Sequence, residues 1–510
     1  MVSRAESSSQ CSDLRWIWAC VVLGAALRLF RIGGQSLWID ELISIQMASW
    51  AHGTEFWQGL LRDIHGPFTS ALLHGWLQLG KSEAWMRLLY AIPAVATIPV
   101  MAVLGRTLVD RSTGRAAAVV LAVSPFHVWY SQEIRNYSWA MLWVTAATLL
   151  FVRLRDREGG WGQWVTLALL LSAGVLTNFS VVFLVAALTV ALCSERPFRV
   201  PLALRWLGVL AVVGLAFLPW FIDWFGRVGG ERVFVDRPPP MGVPLREAAG
   251  LHPAALLFAI WSLVFGYSLG PTLTQLHLDR SLSTTLPHAP ALLAGAVAVG
   301  IGAVYGFRTL LRRDRCTLCA VLLLVPALLA VMLAVRGVKT FHPRYLVAAF
   351  PMLVVLLSAG WSAPGRVPKA ASGLALLLAI VSLGNHYFDE DYAKEDSRAA
   401  AEWVLASEMP GDTIVVIYSF RPFRYYFADT ASGKARLLHQ HKRFLQTDED
   451  LRSHVNDASR NGGRVWLVLS RWWDVAPENR IRSFFEERLR ESERREFHGV
   501  KVTLYEEAPA

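Results

Sequence analysis

The sequence predicts an all-α polytopic membrane protein of about eleven spanning helices, with interfacial or re-entrant helices among them and a small C-terminal α/β extracytoplasmic domain. Three observations predict it. Of 510 residues 54% are apolar and only 18% charged, where a soluble chain carries roughly a quarter charged. The apolar residues gather into long runs with the charges clustered between them. From residue 385 the composition changes and charges become frequent.

About 20 residues at 1.5 Å rise cross a 30 Å hydrocarbon layer. The runs that meet this are 14–31, 84–105, 116–131, 136–152, 162–177, 179–194 and 202–222, then 289–307, 317–335, 345–362 and 369–384. Residues 1–13 form a polar cytoplasmic tail, and no small-residue cleavage site follows the first run, which argues against a cleavable signal peptide. The basic clusters RTLVDRSTGR (106–115), RLRDR (153–157), ERPFR (195–199), RTLLRRDR (308–315) and GRVPK (365–369) occupy alternate connections. The positive-inside rule places all five in the cytoplasm. It also explains the net charge of +10 better than nucleic-acid binding does, because the basic residues form no stripe.

Two apolar pieces do not fit as spans. PFTSALLHGWLQLG (67–80) is short, and a crossing there would put RTLVDRSTGR outside; it reads as an interfacial or re-entrant helix within a first outer loop of 32–83. A crossing at 254–270 would invert RTLLRRDR, so that segment reads the same way. The transmembrane domain then covers 14–384, and an odd number of crossings leaves 385–510 outside. In that last part TIVVIY (413–418), RVWLVLS (464–470) and VKVTLYE (500–506) read as strands, alternating with helical patterns at 395–409 and 480–495. The five cysteines are scattered, and the Cys316/Cys319 pair heads an apolar helix, where packing is the simpler reading than a redox or metal site.

The unusual polar residues fall on the outer connections: Asp40, Glu41, His65, Glu83, Gln132, Glu133, Arg135, Lys339, His342 and Arg344. Ionisable groups near membrane depth are costly and line cavities or pathways. Asp40 and Glu41 are adjacent on an expected interfacial helix, off its apolar stripe, so they point about 100° apart and have different partners. Acids at a helix start also favour the dipole, a simpler role for Glu41. Glu133 and Arg135 pair with each other or with headgroups. Lys339, His342 and Arg344 suit a lipid phosphate through charge-assisted hydrogen bonds, with interfacial snorkelling as the alternative.

SLWIDE (36–41), HGPFTSALLHGW (65–76), SEAWMRLLYAIPA (82–94), SPFHVWYSQEIRNYSW (124–139) and FHPRYLVAAFP (341–351) together resemble the GT-C superfamily of integral membrane glycosyltransferases. The likeness is to the bacterial relatives of dolichyl-phosphate-mannose protein mannosyltransferases and of lipid A aminoarabinose transferases. The His-Pro-Pro common in the family stands here as His65-Gly66-Pro67. The resemblance implies a cytoplasmic-membrane enzyme that moves a sugar from a polyprenyl-phosphate donor to a lipid, glycan or protein acceptor, with inversion. It implies Asp40 as the catalytic carboxylate; by their position on the outer connections Glu41 is a second catalytic candidate, and His65, Glu133, Arg135, Lys339, His342 and Arg344 are candidate donor and substrate contacts. No nucleotide diphosphate leaves, so the usual reason for a metal clamp is absent; a divalent ion at Glu41, His65 or Glu133 stays open. The rival reading, a transporter or flippase of lipid-linked sugars, calls for midplane charges and internal repeats that the sequence lacks.

Overall fold

The computed structural model describes residues 2–49, 66–157, 159–195, 197, 199–224, 226, 253–279, 281–336, 341–418, 420–428, 435–440, 448–460, 463–471 and 478–507. They form two compact units. A helical unit comprises Met1–Ile32, Ser44–Pro271 and Thr285–Tyr387, and an α/β unit comprises Gly33–Ile43, Thr272–Thr284 and Phe388–Ala510.

Six helices, among the described residues, are long and apolar enough to cross a membrane: Glu83–Leu108, Tyr137–Asp156, Val200–Asp223, Leu282–Arg312, Cys316–Val335 and Arg366–Phe388. Shorter apolar helices cover Trp161–Thr177, Val181–Cys193, Ala255–Phe265 and Phe350–Trp361. The first helix runs Val2–Leu29, so the segment expected as a polar tail continues it. The expected span 116–131 is broken. Helix Arg111–Ala122 stops, and a second helix, Pro125–Ser131, starts on the Ser124 cap, whose hydroxyl accepts from the His127 amide at 3.3 Å. Pro125 forces this, because the residue before a proline is pushed out of the helical region. In the same way the run 345–362 begins as a 3₁₀ turn, Pro343–Leu346, and turns α-helical only at Phe350, with Pro351 in its first turn.

Helices pack closely where side chains are smallest. Gly302 and Gly306 form a small-xxx-small face beneath Gly360, and a Cβ on Gly360 would lie 1.8 Å from the Gly302 carbonyl oxygen. Gly66, at φ +93°, caps the short Pro67–Leu77 helix in a conformation closed to other residues.

Helix Tyr137–Asp156 spans about 30 Å at 1.5 Å per residue and separates two polar ends. At its Asp156 end the basic clusters meet through ion pairs. Arg315 reaches Asp156 with two contacts of 2.7 and 2.5 Å, Arg155 pairs with Glu195, and Arg313 lies 3.5 Å from Asp110. Asp13, its side chain 8% exposed, forms ion pairs with Arg111 at 2.7 Å and Arg115 at 2.5 Å. Four basic clusters therefore lie at one end of the unit.

The α/β unit holds a five-stranded sheet of order β2-β1-β3-β5-β4, from β1 (Thr413–Ile417), β2 (Arg436–Gln440), β3 (Val465–Ser470), β4 (Leu489–Phe497) and β5 (Val500–Glu507). β1 pairs in parallel with β2 and β3, and β5 is antiparallel to β3 and β4. Every residue of β1 and β3 is buried, as expected of strands covered on both faces. Val415, Leu467 and Leu469 pack with Leu451, Ile481 and Phe485, while Ile414, Val416 and Val468 pack with Trp403, Val404 and Phe423. Two of the five strands escape the sequence reading. β2 is a short edge, and most of 489–497 overlaps the run 480–495 expected to be helical. There the helix ends at Glu486, and β4 pairs with β5 around Gly499 at φ +69°. β4 is an edge strand full of charge, which discourages pairing with other chains and hides its strand period from hydrophobicity.

Candidate functional site

Opposite its basic end, the helical unit brings together three polar segments. The Pro125–Ser131 helix ends at Gln132, and residues 133–136 form a bend in which the Arg135 amide donates to the Glu133 carbonyl at 2.8 Å. Glu133 is 1% and Arg135 6% exposed; the Arg135 guanidinium donates to the Ser44 hydroxyl at 3.1 Å. Asn136 donates to the Thr177 carbonyl at 2.7 Å, and Asn178 returns a bond to Asn136 at 3.1 Å. The loops around 133 and 178 are thus tied by side chains that compensate each other's buried polarity.

The third segment is 341–346. His342 is the cap of the Pro343–Leu346 turn, and its Nδ1 accepts from the Arg344 amide at 3.1 Å. An accepting Nδ1 leaves the ring proton on Nε2. The Arg344 guanidinium lies 5.8 Å from the Tyr137 ring centroid and 5.6 Å from that of Tyr345, within cation–π range. Tyr137 packs edge-on against Tyr130, whose hydroxyl is 2.9 Å from that of Tyr267. Tyr267 faces His342 with ring centroids 6.4 Å apart. The arginine is therefore aimed by aromatic faces and keeps its five donors in a planar fork suited to an oxyanion.

Behind this cluster lies Arg28, fully buried, which the sequence reading passed over inside an apolar run. It donates to the carbonyls of Gly24, Ala122 and Leu121, each at 2.9 Å, and meets His127 Nδ1 at 2.8 Å. Leu121 and Ala122 end a helix, so the cation satisfies orphan carbonyls at the negative end of the dipole. Gln132 does the same for the first helix, donating to the Arg28 and Phe30 carbonyls at 3.0 and 2.8 Å, and meets His386 at 3.0 Å. The signal available in the sequence was an arginine inside the apolar run 14–31, one residue before the end of the first helix.

The α/β unit carries Asp40 and Glu41. Both lie in the first turn of the Ile39–Ala48 helix, and their environments differ as their 100° separation requires. Asp40 is half-buried. Glu41 is fully buried; its Oε2 lies 3.6 Å from the Lys394 ammonium and accepts from the Trp38 amide at 3.4 Å. The second contact is the backward half of a capping box. Lys394 also lies over the Trp38 ring at 5.6 Å. Nothing in the charge-rich segment around 394 distinguishes that lysine beforehand.

His65 and Lys339 lie outside the described residues. Among the described residues no three His, Cys, Asp or Glu side chains gather to hold a metal ion.

Apolar helices of spanning length with a small C-terminal α/β unit give the chain a GT-C-like fold, which it shares with the solved structures that follow. Its resemblance is to aminoarabinose-transferase-like and protein-mannosyltransferase-like members. ArnT from Cupriavidus metallidurans in the apo state matches with a TM-score of 0.59 at 12% identity, over 97% of this chain and 98% of that one. The same protein bound to undecaprenyl phosphate matches at 0.56 and 13%, over 96% and 98%. The oligosaccharyltransferase AglB from Archaeoglobus fulgidus, in complex with an inhibitory peptide and a dolichol-phosphate, matches at 0.51 and 14%, over 94% and 71%. Residues 64–223 match the family described as dolichyl-phosphate-mannose-protein mannosyltransferase. No curated protein sequence matches the chain.

Proposed function

We propose that this chain is a membrane glycosyltransferase that moves a sugar from a polyprenyl-phosphate donor to an acceptor hydroxyl at the outer face of the cytoplasmic membrane. The observation that carries the reading is the GT-C fold matched along 97% of the chain. Similar structures hold undecaprenyl phosphate or a dolichol-phosphate, which supports a lipid-phosphate donor. The polar end of the helical unit supports it too, since Arg344, set on two tyrosines, suits a phosphate oxyanion.

In this reading Asp40 takes the proton of the acceptor hydroxyl. The oxygen attacks the anomeric carbon from the face opposite the phosphate, the bond from that carbon to the phosphate oxygen breaks, and its electron pair leaves with the lipid phosphate. Configuration inverts in the single displacement. Arg344, with Lys339 and Arg135, stabilises the charge that develops on the phosphate. His342 holds the Arg344 turn, and His65 and Glu133 belong to the donor side. Glu41, buried on Lys394, supports the start of the helix that carries Asp40.

The test compares glycans and glycolipids by mass spectrometry in cells that lack the chain and in cells complemented with native protein or Asp40→Asn. Native protein restores one sugar-bearing product, and Asp40→Asn inserts in the membrane without restoring it. Full restoration by the variant overturns the assignment of Asp40. Accumulated lipid-linked sugar on the wrong leaflet, with transfer intact, points to the flippase.

A further inference from the structure

We infer that the α/β unit is the clamp that sets the Asp40 turn, with Lys394 as its positioning residue; the catalytic consequence rests on the proposed role of Asp40. The turn 33–38 has no regular secondary structure and precedes the ten-residue Ile39–Ala48 helix. A helix of that length is marginal by itself in water, so a carboxylate in its first turn needs an external frame.

The frame comes from three side chains and a carbonyl of the C-terminal segment. Arg398 donates to the carbonyls of Gly33 at 3.4 Å and Gln35 at 3.2 Å. Ser36 donates to the Glu395 carbonyl at 2.6 Å, and the Leu37 amide donates to the Tyr426 hydroxyl at 2.6 Å. Arg398 also stacks 5.6 Å from the Tyr426 ring centroid, which joins the two holders. Lys394 completes the grip through Trp38 and Glu41. Ser36, Leu37 and Glu41 are 4%, 0% and 0% exposed, so the strap is packed and not laid on a surface.

The decisive contact is the Glu41–Lys394 pair. A carboxylate without exposure is tolerated only with its cation in place, and this cation is 8% exposed itself. Losing it obliges Glu41 to move toward water, and Asp40 is the preceding residue of the same turn. A displacement of about 1 Å at a reacting group is enough to cost about a hundredfold in rate. The C-terminal unit thus has a role in turnover whatever acceptor is used.

The test uses the full chain in lipid nanodiscs. In Lys394→Met, hydrogen exchange over 33–43 quickens at least about tenfold while the amides of β1 and β3 keep their protection. Complemented cells then make about a tenth or less of the product, while the affinity for undecaprenyl phosphate as probe stays within about twofold. Removing both charges, in Glu41→Gln with Lys394→Met, recovers protection and product to within about threefold of native. Tyr426→Phe, a gentler change, loosens residue 37 selectively.

Native protection over 33–43 in Lys394→Met overturns the inference, as does a double variant no better than the single one. Should Asp40→Asn keep the product while Lys394→Met still loosens 33–43, the clamp stands and the role given to Asp40 falls.

Discussion

The two units carry buried charge in different ways. Away from its basic end, where Asp13 pairs with Arg111 and Arg115, the helical unit holds Arg28 on three backbone carbonyls and a histidine, Arg87 on the Ile32 carbonyl at 3.0 Å with Glu83 at 3.8 Å, and half-buried Arg344 on two tyrosine rings. The α/β unit pairs opposite charges: Glu41 with Lys394, and Asp412 with Arg464 at 2.8 Å, the same carboxylate also accepting from Trp466 at 2.8 Å. The difference follows from what each unit has to offer. Apolar helices supply few carboxylates, but every helix end exposes carbonyls without partners. An α/β sheet rich in charged loops can supply the counter-ion directly.

The contrast can be broken by substitution. The largest effect belongs to Asp40→Asn, which is expected to cost about 10³-fold in product formation, the range of one general base. Product assays on membranes with matched protein levels measure it, and a loss within about threefold would remove Asp40 from the chemistry.

Arg28→Met comes next. It deprives the Leu121 and Ala122 carbonyls of their donor in a fully buried place and should destabilise the helical unit by about 3 kcal/mol. Thermal unfolding in detergent reads this. The α/β sheet should keep its amide protection, because its own buried charges are paired separately.

Arg344→Ala should weaken binding of undecaprenyl phosphate by about tenfold without lowering stability comparably, since a half-buried arginine set on aromatic faces contributes only about 1 kcal/mol to folding. Arg344→Lys should recover part of the affinity, as a point charge without the planar fork. Unchanged binding in the alanine variant takes Arg344 out of the phosphate site.

The smallest effect sharpens the other side of the comparison. In the α/β unit the hydroxyls and amide of Ser281, with Thr284 and Ser283, hold the Asp279 carboxyl down to about 2. A carboxyl whose folded value lies below its unfolded value of about 3.9 stabilises above that value, and loses the contribution as pH falls through the folded one. Protection of residues 272–284 should therefore persist to about pH 4 and fade toward about pH 2, and Asp279→Asn should flatten the dependence.

Much of the fold could be read before any coordinates. Long apolar runs mark helices because a helix satisfies its own backbone in an apolar medium, and proline rules place the breaks at 123–125 and 343–351 once they are applied. The continuous apolar strands β1 and β3 were legible, whereas β4 was not, since a charged edge strand and a charged helix face look alike without a partner. The polar residues at 133–136 and 341–344 stood out by their rarity among apolar neighbours.

What only the tertiary structure decided is which of them meet and what holds them. Arg344 against Tyr137, Arg28 against His127 and Lys394 against Glu41 join residues far apart in the chain. Such pairs have no period and no local propensity. The family resemblance pointed to Asp40, but the burial of Glu41 and the cation that makes it tolerable emerge only once the chain folds back. A charge is cheap or costly according to its surroundings, and those are assembled from distant segments.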